Sequence, residues 1–598
     1  MPSPRVTTIA NSMTLSEKAA ALCCARTVAN DDGSPWEGTS AESPFGFVPA
    51  TELLVERGIS SVLLMNAPPA EAVATWHNAV QALGRRTRLA LPVQVASDPR
   101  HGRSFNVQTN LTGSGFSRFP EPVGFAAAFD PDLVEESARV MARELRACGI
   151  SVAVHPMADL ATDARWARIA GTFGEDPDHA GATAAAWVRG LQGGTVGSHS
   201  VAATVKHFPG GGPQRGGEDS HFAEGAHTVY PGGRFETHLA PFTAALAAGA
   251  LRVMPGYAAP LGTGHDAVGF AFARSIITDL LRDRLGFDGV VMTDFNVVTG
   301  MTLPRLGIEL PVRAWGLELT TPVERVGLLF AAGVDQLGGE DDPGLIVDAV
   351  EAGLVTEERL TESVIRVLHD RELLGLLDDA EVDPARAAVI GLDREHVDVA
   401  LRAQRASVVA LTGERAPGTR DMRVWAGGVD AAVLAGYASI APSPAEADLA
   451  IVRLAAPFTR REGLLEQAFH GGTLEFPEAE IVRLQQLCAM VPTVVDVFLE
   501  RPVALPEIAD AAHALLGTFG VDDEVLLDAV FGRSAVTGRL PFDLPRSTDA
   551  VARSREDVPF DTEDPVFRFG DGRTWAAGGG TPVTAAAPQP ASRIGADR

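Results

Sequence analysis

The feature that most constrains this chain is a series of short apolar runs between residues 55 and 340, each separated from the next by an amphipathic helical stretch. The runs are Ile59–Met65, Pro92–Asp98, Ile150–Asp159, Ala202–Phe208, Leu251–Tyr257, Gly289–Phe295 and Gly333–Gly339. They are mostly apolar rather than alternating, as expected of parallel strands covered on both faces. Pro131–Ala147 shows the helical partner: Asp130 stands at the N-cap, Pro131 at the first helical position, and Cys148-Gly149 just beyond the end. Repeated strand–helix units of this length predict a parallel α/β architecture. With an eighth strand expected near residues 45–53, the fold class is α/β, a (β/α)8 TIM-like barrel over residues 1–377.

The ends of the runs carry the chemistry. Asp98, Asp159, Lys206-His207, Tyr257, Asp294 and Glu340 stand at or just past the C-terminal ends of six of the seven runs. In a barrel those ends converge on one face, where the active sites of such folds lie. Turn chemistry alone accounts for one or two polar strand ends, not six.

A helix near Glu362–Leu377 closes this first unit, and the polar segment 378–395 reads as a linker. A second alternation then begins, with strands at Met422–Ala426, Ala447–Leu454, Thr493–Leu499 and Ala514–Phe519 and a helix at Pro477–Ala489. This predicts a smaller α/β sandwich domain over residues 396–576. Residues 577–598 are rich in Gly, Ala, Pro and Thr, too poor in apolar content to pack, and are expected to form a disordered tail.

Composition narrows the partners. A net charge of −27 argues against nucleic acid and anionic membranes, which reward a basic surface. No run of about twenty apolar residues is present, so no membrane span is expected. The start lacks a basic region followed by an apolar one, and the four cysteines (Cys23, Cys24, Cys148, Cys488) fit neither a disulfide framework nor metal-ligand spacing. A cytoplasmic location, no metal and no organic cofactor are the resulting expectations. A homo-oligomer is compatible with all of this. The chain has only two lysines, Lys18 and Lys206. Lys206 ends the apolar run VAATVKHF, where an unpaired charge is costly, and it reads equally as a structural ion pair or as a compact functional charge.

Four segments hold candidate site residues. GFDGVVMTDFN delivers Asp294 from a buried strand to the barrel mouth, where a carboxylate can attack an anomeric carbon, hold a metal, or simply cap the next turn. QVASDPRHG places Asp98 before a Pro turn, able to accept two sugar hydroxyls. ADLATDARWARIAGTFGEDP gathers Arg165, Trp166 and Arg168 in one loop, offering donor forks and a flat apolar face. TVKHFPGGGPQRGGEDSHF brings Lys206 and His207 to a strand end and then Asp219 and His221, which are spaced to form a carboxylate–imidazole dyad.

Together with VDQLGGE, GRLPFDLP and FRFG, these motifs resemble glycoside hydrolase family 3 in content and order, from about Thr14 to Gly572. The resemblance implies a barrel followed by a sandwich, with an active site between them. It implies a retaining, exo-acting β-glycoside hydrolase of β-glucosidase or β-xylosidase type, acting on a small-molecule glycoside or oligosaccharide. Asp294 would be the nucleophile, and Asp98, Arg165, Lys206, His207 and Tyr257 would bind the sugar. Lys206 and Arg165 would favour an ionised Asp294.

The chain also departs from the family's pattern. Phe295 stands where the family usually has Trp, keeping an apolar wall without the indole donor. Ala164 and Ala167 replace Pro and Gly in the Arg165 loop. In AAPFTRREGLLEQAFHGG, Thr459 occupies the position where related members carry the acid/base Glu. The remaining acid/base candidates are Glu340 first, Glu466 second, and the Asp219–His221 pair third. That pair resembles the dyad of the family's β-N-acetylglucosaminidases, but six residues rather than four separate Gly212 from Asp219. The alternatives are therefore a β-N-acetylhexosaminidase using that pair and a non-catalytic sugar-binding homologue. A Schiff-base lyase built on Lys206 is a further enzyme class.

Overall fold

The computed structural model describes residues 2–579, except 44, 103–110, 306 and 464. Eight parallel strands form the first sheet: β1 (Cys23–Thr27), β2 (Ser61–Leu64), β3 (Gln94–Ser97), β4 (Ile150–Ala153), β5 (Ala202–Phe208), β6 (Arg252–Pro255), β7 (Val290–Val291) and β8 (Leu337–Gly338). Their order is β8-β1-β2-β3-β4-β5-β6-β7. A parallel bridge between Met292 and Gln336 joins the last to the first, so the sheet closes into a barrel. This is the expected α/β barrel.

The eighth strand is not where it was expected. Residues 45–53 form a turn, a coil and the start of a helical turn over Glu52–Glu56, interrupted by Gly46 and Pro49. The strand is instead Cys23–Thr27, which pairs with β2 on one side and β8 on the other. Its sequence follows directly on the helix Leu15–Ala21, so the apolar run reads as the end of that helix. Only pairing on both edges makes it a strand.

Alternation along each strand decides what faces the barrel interior. Cys24, Leu63, Ala96, Val152, Ala202, Met254 and Met292 pack there in one cluster. Below them Arg252, Asp370, Gln336 and Arg371 fill the floor with hydrogen-bonded polar groups; Arg252 Nη1 reaches Asp370 Oδ2 at 2.7 Å, and Arg371 Nη2 reaches Ser61 Oγ at 2.8 Å. The other strand faces pack on the surrounding helices in the main core.

The second sheet has six strands: β9 (Val409–Ala410), β10 (Arg423–Gly427), β11 (Ser439–Ile440), β12 (Leu449–Ala455), β13 (Thr493–Phe498) and β14 (Ala514–Thr518), in the order β9-β14-β13-β12-β10-β11. β9 alone runs antiparallel to its neighbour. Helix Glu478–Met490 matches the expected one within a residue at each end.

The expected linker is more ordered than its polarity suggested. It contains helix Pro384–Ile390, and Val382 exchanges two hydrogen bonds with the side chain of Asn78, at 2.8 and 3.0 Å. Residues 577–579 form a short turn, and the rest of the expected tail lies outside the described residues. Among the described residues no helix is long and apolar enough to cross a membrane.

Candidate active site

A cavity of about 170 Å³ opens at the C-terminal mouth of the barrel. Strand alternation places its polar lining. Arg26 follows Cys24 by two residues, Asp98 follows Ala96, and Asp294 follows Met292; Lys206 lies four beyond Ala202. Each keeps the inward parity of an interior residue and so rises from the barrel core into the cavity.

Asp294 is the buried carboxylate at the centre. Its Oδ1 accepts hydrogen bonds from the Tyr257 hydroxyl and the Phe295 backbone N–H, both at 2.7 Å. Its Oδ2 lies 3.7 Å from His207 Nε2. Burial pushes the Asp294 pKa up, but His207, His221, Arg168 and Lys206 outweigh it and hold the carboxyl below its usual value. Asp294 is therefore ionised at neutral pH.

His207 is locked on both sides. Nδ1 meets Asp159 Oδ2 at 2.8 Å and Nε2 meets Arg168 Nη1 at 3.1 Å. A guanidinium has only donors, so Nε2 accepts and Nδ1 carries the proton given to Asp159. Burial and Arg168 lower the His207 pKa further than Asp159 and Asp294 raise it. Lys206 Nζ donates to Asp98 Oδ1 at 3.0 Å. The Lys206 side chain is 7% exposed and that of Asp98 30%, so the carboxylate is the more open end of the pair.

The structure corrects the choice of arginine. Arg165 does not line the cavity; it turns back onto Asp163, with Nε and the backbone N–H both donating to Asp163 Oδ1 at 2.9 Å. Arg168, three residues on, lines the cavity instead. The sequence holds one local difference between the two, which does not by itself say where Arg168 points: Arg165 has a carboxylate two residues away, whereas Arg168 has none within four on either side.

The acid/base candidates separate as well. Glu340 is buried outside the cavity lining, with Thr299 N–H at 3.0 Å on Oε1 and Thr299 Oγ1 at 2.8 Å on Oε2. Burial raises its pKa. Strand parity from Gln336 and Gly338 would have aimed it inward, but Gly339 takes a φ of +82° and turns the chain away. Glu466 also misses the lining, its carboxylate lying over Gly463 of its own loop, although Leu465 and Phe469 on either side do reach the cavity. Thr459 closes that loop by accepting Thr473 N–H at 3.0 Å.

His221 is the candidate that lines the cavity. Its Nδ1 is 2.6 Å from Asp219 Oδ1, and Asp219 Oδ2 accepts from Trp166 Nε1 at 2.8 Å. The ring packs edge-on to Tyr257, 4.8 Å between centroids, and against Phe469 at 5.1 Å. Burial pushes the His221 pKa down to about 4, despite Asp219. Phe295 lines the cavity as expected. Arg26, Asn296, Met301 and Arg313 line it without having been singled out from the sequence. Arg26 was hidden because its strand was not recognised; Asn296 and Arg313 lie in loop with no periodic pattern. Among the described residues no group of three or more His, Cys, Asp or Glu is placed to hold a metal ion.

Comparison with known proteins gives the family. The model of the glycosyl hydrolase family 3 N-terminal domain matches residues 48–369. Beta-glucosidase C of Emericella nidulans is 41% identical over 579 residues, covering 95% of this chain and 91% of that protein. The periplasmic beta-glucosidase/beta-xylosidase of Dickeya chrysanthemi is 35% identical over 594 residues, covering 95% and 89%. Among solved structures, the beta-glucosidase from Listeria innocua in complex with isofagomine superposes with a TM-score of 0.74 at 22% identity, covering 96% of this chain and 83% of that one, a likeness of fold. On these matches the chain belongs to glycosyl hydrolase family 3 and is a glycosidase, an enzyme that hydrolyses O-glycosyl bonds.

Proposed function

We propose that this enzyme is a retaining, exo-acting β-glycosidase of β-glucosidase or β-xylosidase type, with Asp294 as nucleophile. The observation that carries the reading is the state of Asp294: ionised, buried, with Oδ1 fixed by two donors and Oδ2 without a hydrogen bond among the described residues. A carboxylate so held is oriented for attack by Oδ2 on an anomeric carbon. The Lys206–Asp98 pair and Arg168 supply charged donors and an acceptor for ring hydroxyls. A hollow of about 170 Å³ suits one sugar ring at a chain end rather than a run of them, which supports exo action.

In the first step Asp294 Oδ2 bonds to the anomeric carbon while the leaving oxygen takes a proton; in the second, water releases the sugar and Asp294 is regenerated. Of the three candidates only His221 reaches the cavity; Asp219 occupies Nδ1 and leaves Nε2 for transfer, and with a pKa of about 4 the imidazolium that gives the leaving oxygen its proton is a minor form at neutral pH. Equal turnover of an alkyl β-glucoside by wild type and His221→Ala would remove it from that role. The same dyad supports a second reading, β-N-acetylhexosaminidase activity. A 27% identical relative is the Beta-N-acetylglucosaminidase/beta-glucosidase of Cellulomonas fimi. Parallel assays on 4-nitrophenyl β-glucoside, β-xyloside and N-acetyl-β-glucosaminide rank the three.

The nucleophile is tested by trapping with a 2-fluoro glycoside and mapping the labelled peptide. Label on any residue but Asp294 ends the assignment. Asp294→Asn should lower kcat/KM by at least about 10⁴-fold. We also propose a cytoplasmic location, supported by four cysteines that are all free thiols, and checked by cell fractionation.

A further inference from the structure

Among the described residues, four fixed cations line the cavity (Arg26, Arg168, Lys206 and Arg313) against two carboxylates, Asp98 and Asp294, in a chain of net charge −27. Lys206 is paired with Asp98, and Arg168 donates to His207. Arg26 and Arg313 serve neither purpose. Among the described residues, Arg26 Nη1 contacts Met301 Sδ at 3.0 Å and Asn296 Oδ1 at 3.4 Å. Arg313 contacts the His221 backbone oxygen at 3.3 Å and the same Asn296 Oδ1 at 3.5 Å, and its guanidinium lies over the Tyr257 ring at 5.3 Å. None of these acceptors is charged. The carboxylates behind Arg26 are engaged elsewhere: Glu340 with Thr299, and Asp341 with Arg57 at 3.0 Å.

Arg313 is only 6% exposed. Two guanidinium groups brought to one amide oxygen, half-buried or deeper and without a carboxylate partner, are costly unless something anionic joins them. The guanidinium fork matches a carboxylate in geometry, and one placed between the two forks would satisfy both.

Their position says which part of a glycoside would bring that group. Asp98 and Lys206 come from β3 and β5, whereas Arg26 comes from β1, and Asn296 and Arg313 from the segment after β7. The barrel order puts β7, β8 and β1 on the side of the mouth away from β3 and β5. A sugar ring held by Asp98 and Lys206 above Asp294 therefore turns its leaving group toward Arg26, Arg313 and Phe295.

We infer that the preferred aglycone is anionic, carrying a carboxylate that docks between Arg26 and Arg313. The inference rests on the proposed placement of the sugar over Asp294, and its test is binding without turnover. Calorimetry on the full chain compares 4-carboxyphenyl 1-thio-β-D-glucoside with its methyl ester, which differ in the charge offered to the arginines and in one methyl group. Wild type should bind the acid at least about tenfold more tightly than the ester, an advantage that shrinks with added salt. Arg26→Met and Arg313→Met should bring that ratio to about one, and Arg26→Lys should keep part of it. The inference is overturned by a wild-type ratio at or below one, by a ratio that both Met variants leave unchanged, or by failure of the acid to bind. It is equally overturned if the preference appears only for a 1-thio-β-D-glucuronide over the glucoside, which would put the anion on the sugar. Loss of the proposed function shows separately, as absence of hydrolysis of the O-linked ester.

Discussion

Arg165 and Arg168 lie three residues apart in one loop and have unrelated surroundings. Arg165 closes a local ring with Asp163, while Arg168 reaches His207 in the cavity and lowers the pKa of Asp294 by its charge. Arg168→Met should lower kcat/KM for an aryl glycoside by about 100-fold or more, whereas Arg165→Met should cost less than about tenfold. Steady-state kinetics on the two variants side by side decide between them; a larger loss for Arg165 would reverse the assignment. The types of residue needed at the site were legible in the sequence, as Asp98, Lys206, His207, Tyr257 and Asp294 all line the cavity. Which of two arginines, and which of three proton carriers, was not legible. That depends on side-chain direction, which a neighbouring Asp or a left-handed Gly can reverse.

At the scale of the element, strand parity carries the site. A residue two or four past an interior side chain stays inward for as long as the strand continues, which is why Asp98, Lys206 and Asp294 were readable as strand ends. Where the strand breaks early the rule fails, and Glu340 beyond Gly339 is the example. The junction of β7 and β8 is also a tight point of the site. A methyl group on Gly338 would lie 2.4 Å from the Thr293 backbone oxygen. Gly338→Ala should push Thr293 and Asp294 out of register, with a loss of about 1–3 kcal/mol in stability and a fall in kcat. Thermal melting and active-site titration measure both; full activity with an unchanged Tm would show that the backbone gives way without moving Asp294.

At the scale of the whole molecule, the sandwich completes what the barrel begins. Arg501, fully buried, donates to the backbone oxygens of Ala164 in the barrel loop and of Pro457, Gly472 and Thr473 in the sandwich loop that carries Leu465 and Phe469. Arg501→Met should strand several carbonyl groups, lowering stability by about 2–4 kcal/mol and raising KM. An unchanged KM in a folded variant would mean that the loop holds its place without Arg501. Glu144, on the barrel helix Pro131–Ala147, joins that helix to His396 at 2.9 Å and to Ser117. Burial pushes its pKa up, but His101, His396 and Ser117 bring it down to about 2 from an ordinary 4.5. A depressed folded pKa stabilises above the unfolded value, so this contribution is complete above about pH 4.5. It is lost as pH falls toward 2, amounting to about 3 kcal/mol. Glu144→Gln should therefore unfold more easily at neutral pH and show a flatter loss of stability between pH 4.5 and 2 than wild type, as followed by denaturant titration at several pH values.

Seven of the eight barrel strands, the presence of two α/β units, and Asp98, Lys206, His207, Tyr257 and Asp294 at the barrel mouth were legible in the sequence alone, because hydrophobic period and turn residues are local properties of the chain. Tertiary structure alone decided three things: that Cys23–Thr27 is the eighth strand, that Arg168 rather than Arg165 enters the cavity, and that His221 reaches it while Glu340 does not. Each depends on pairing or direction between segments far apart in the chain, and no local pattern encodes the energy of those contacts.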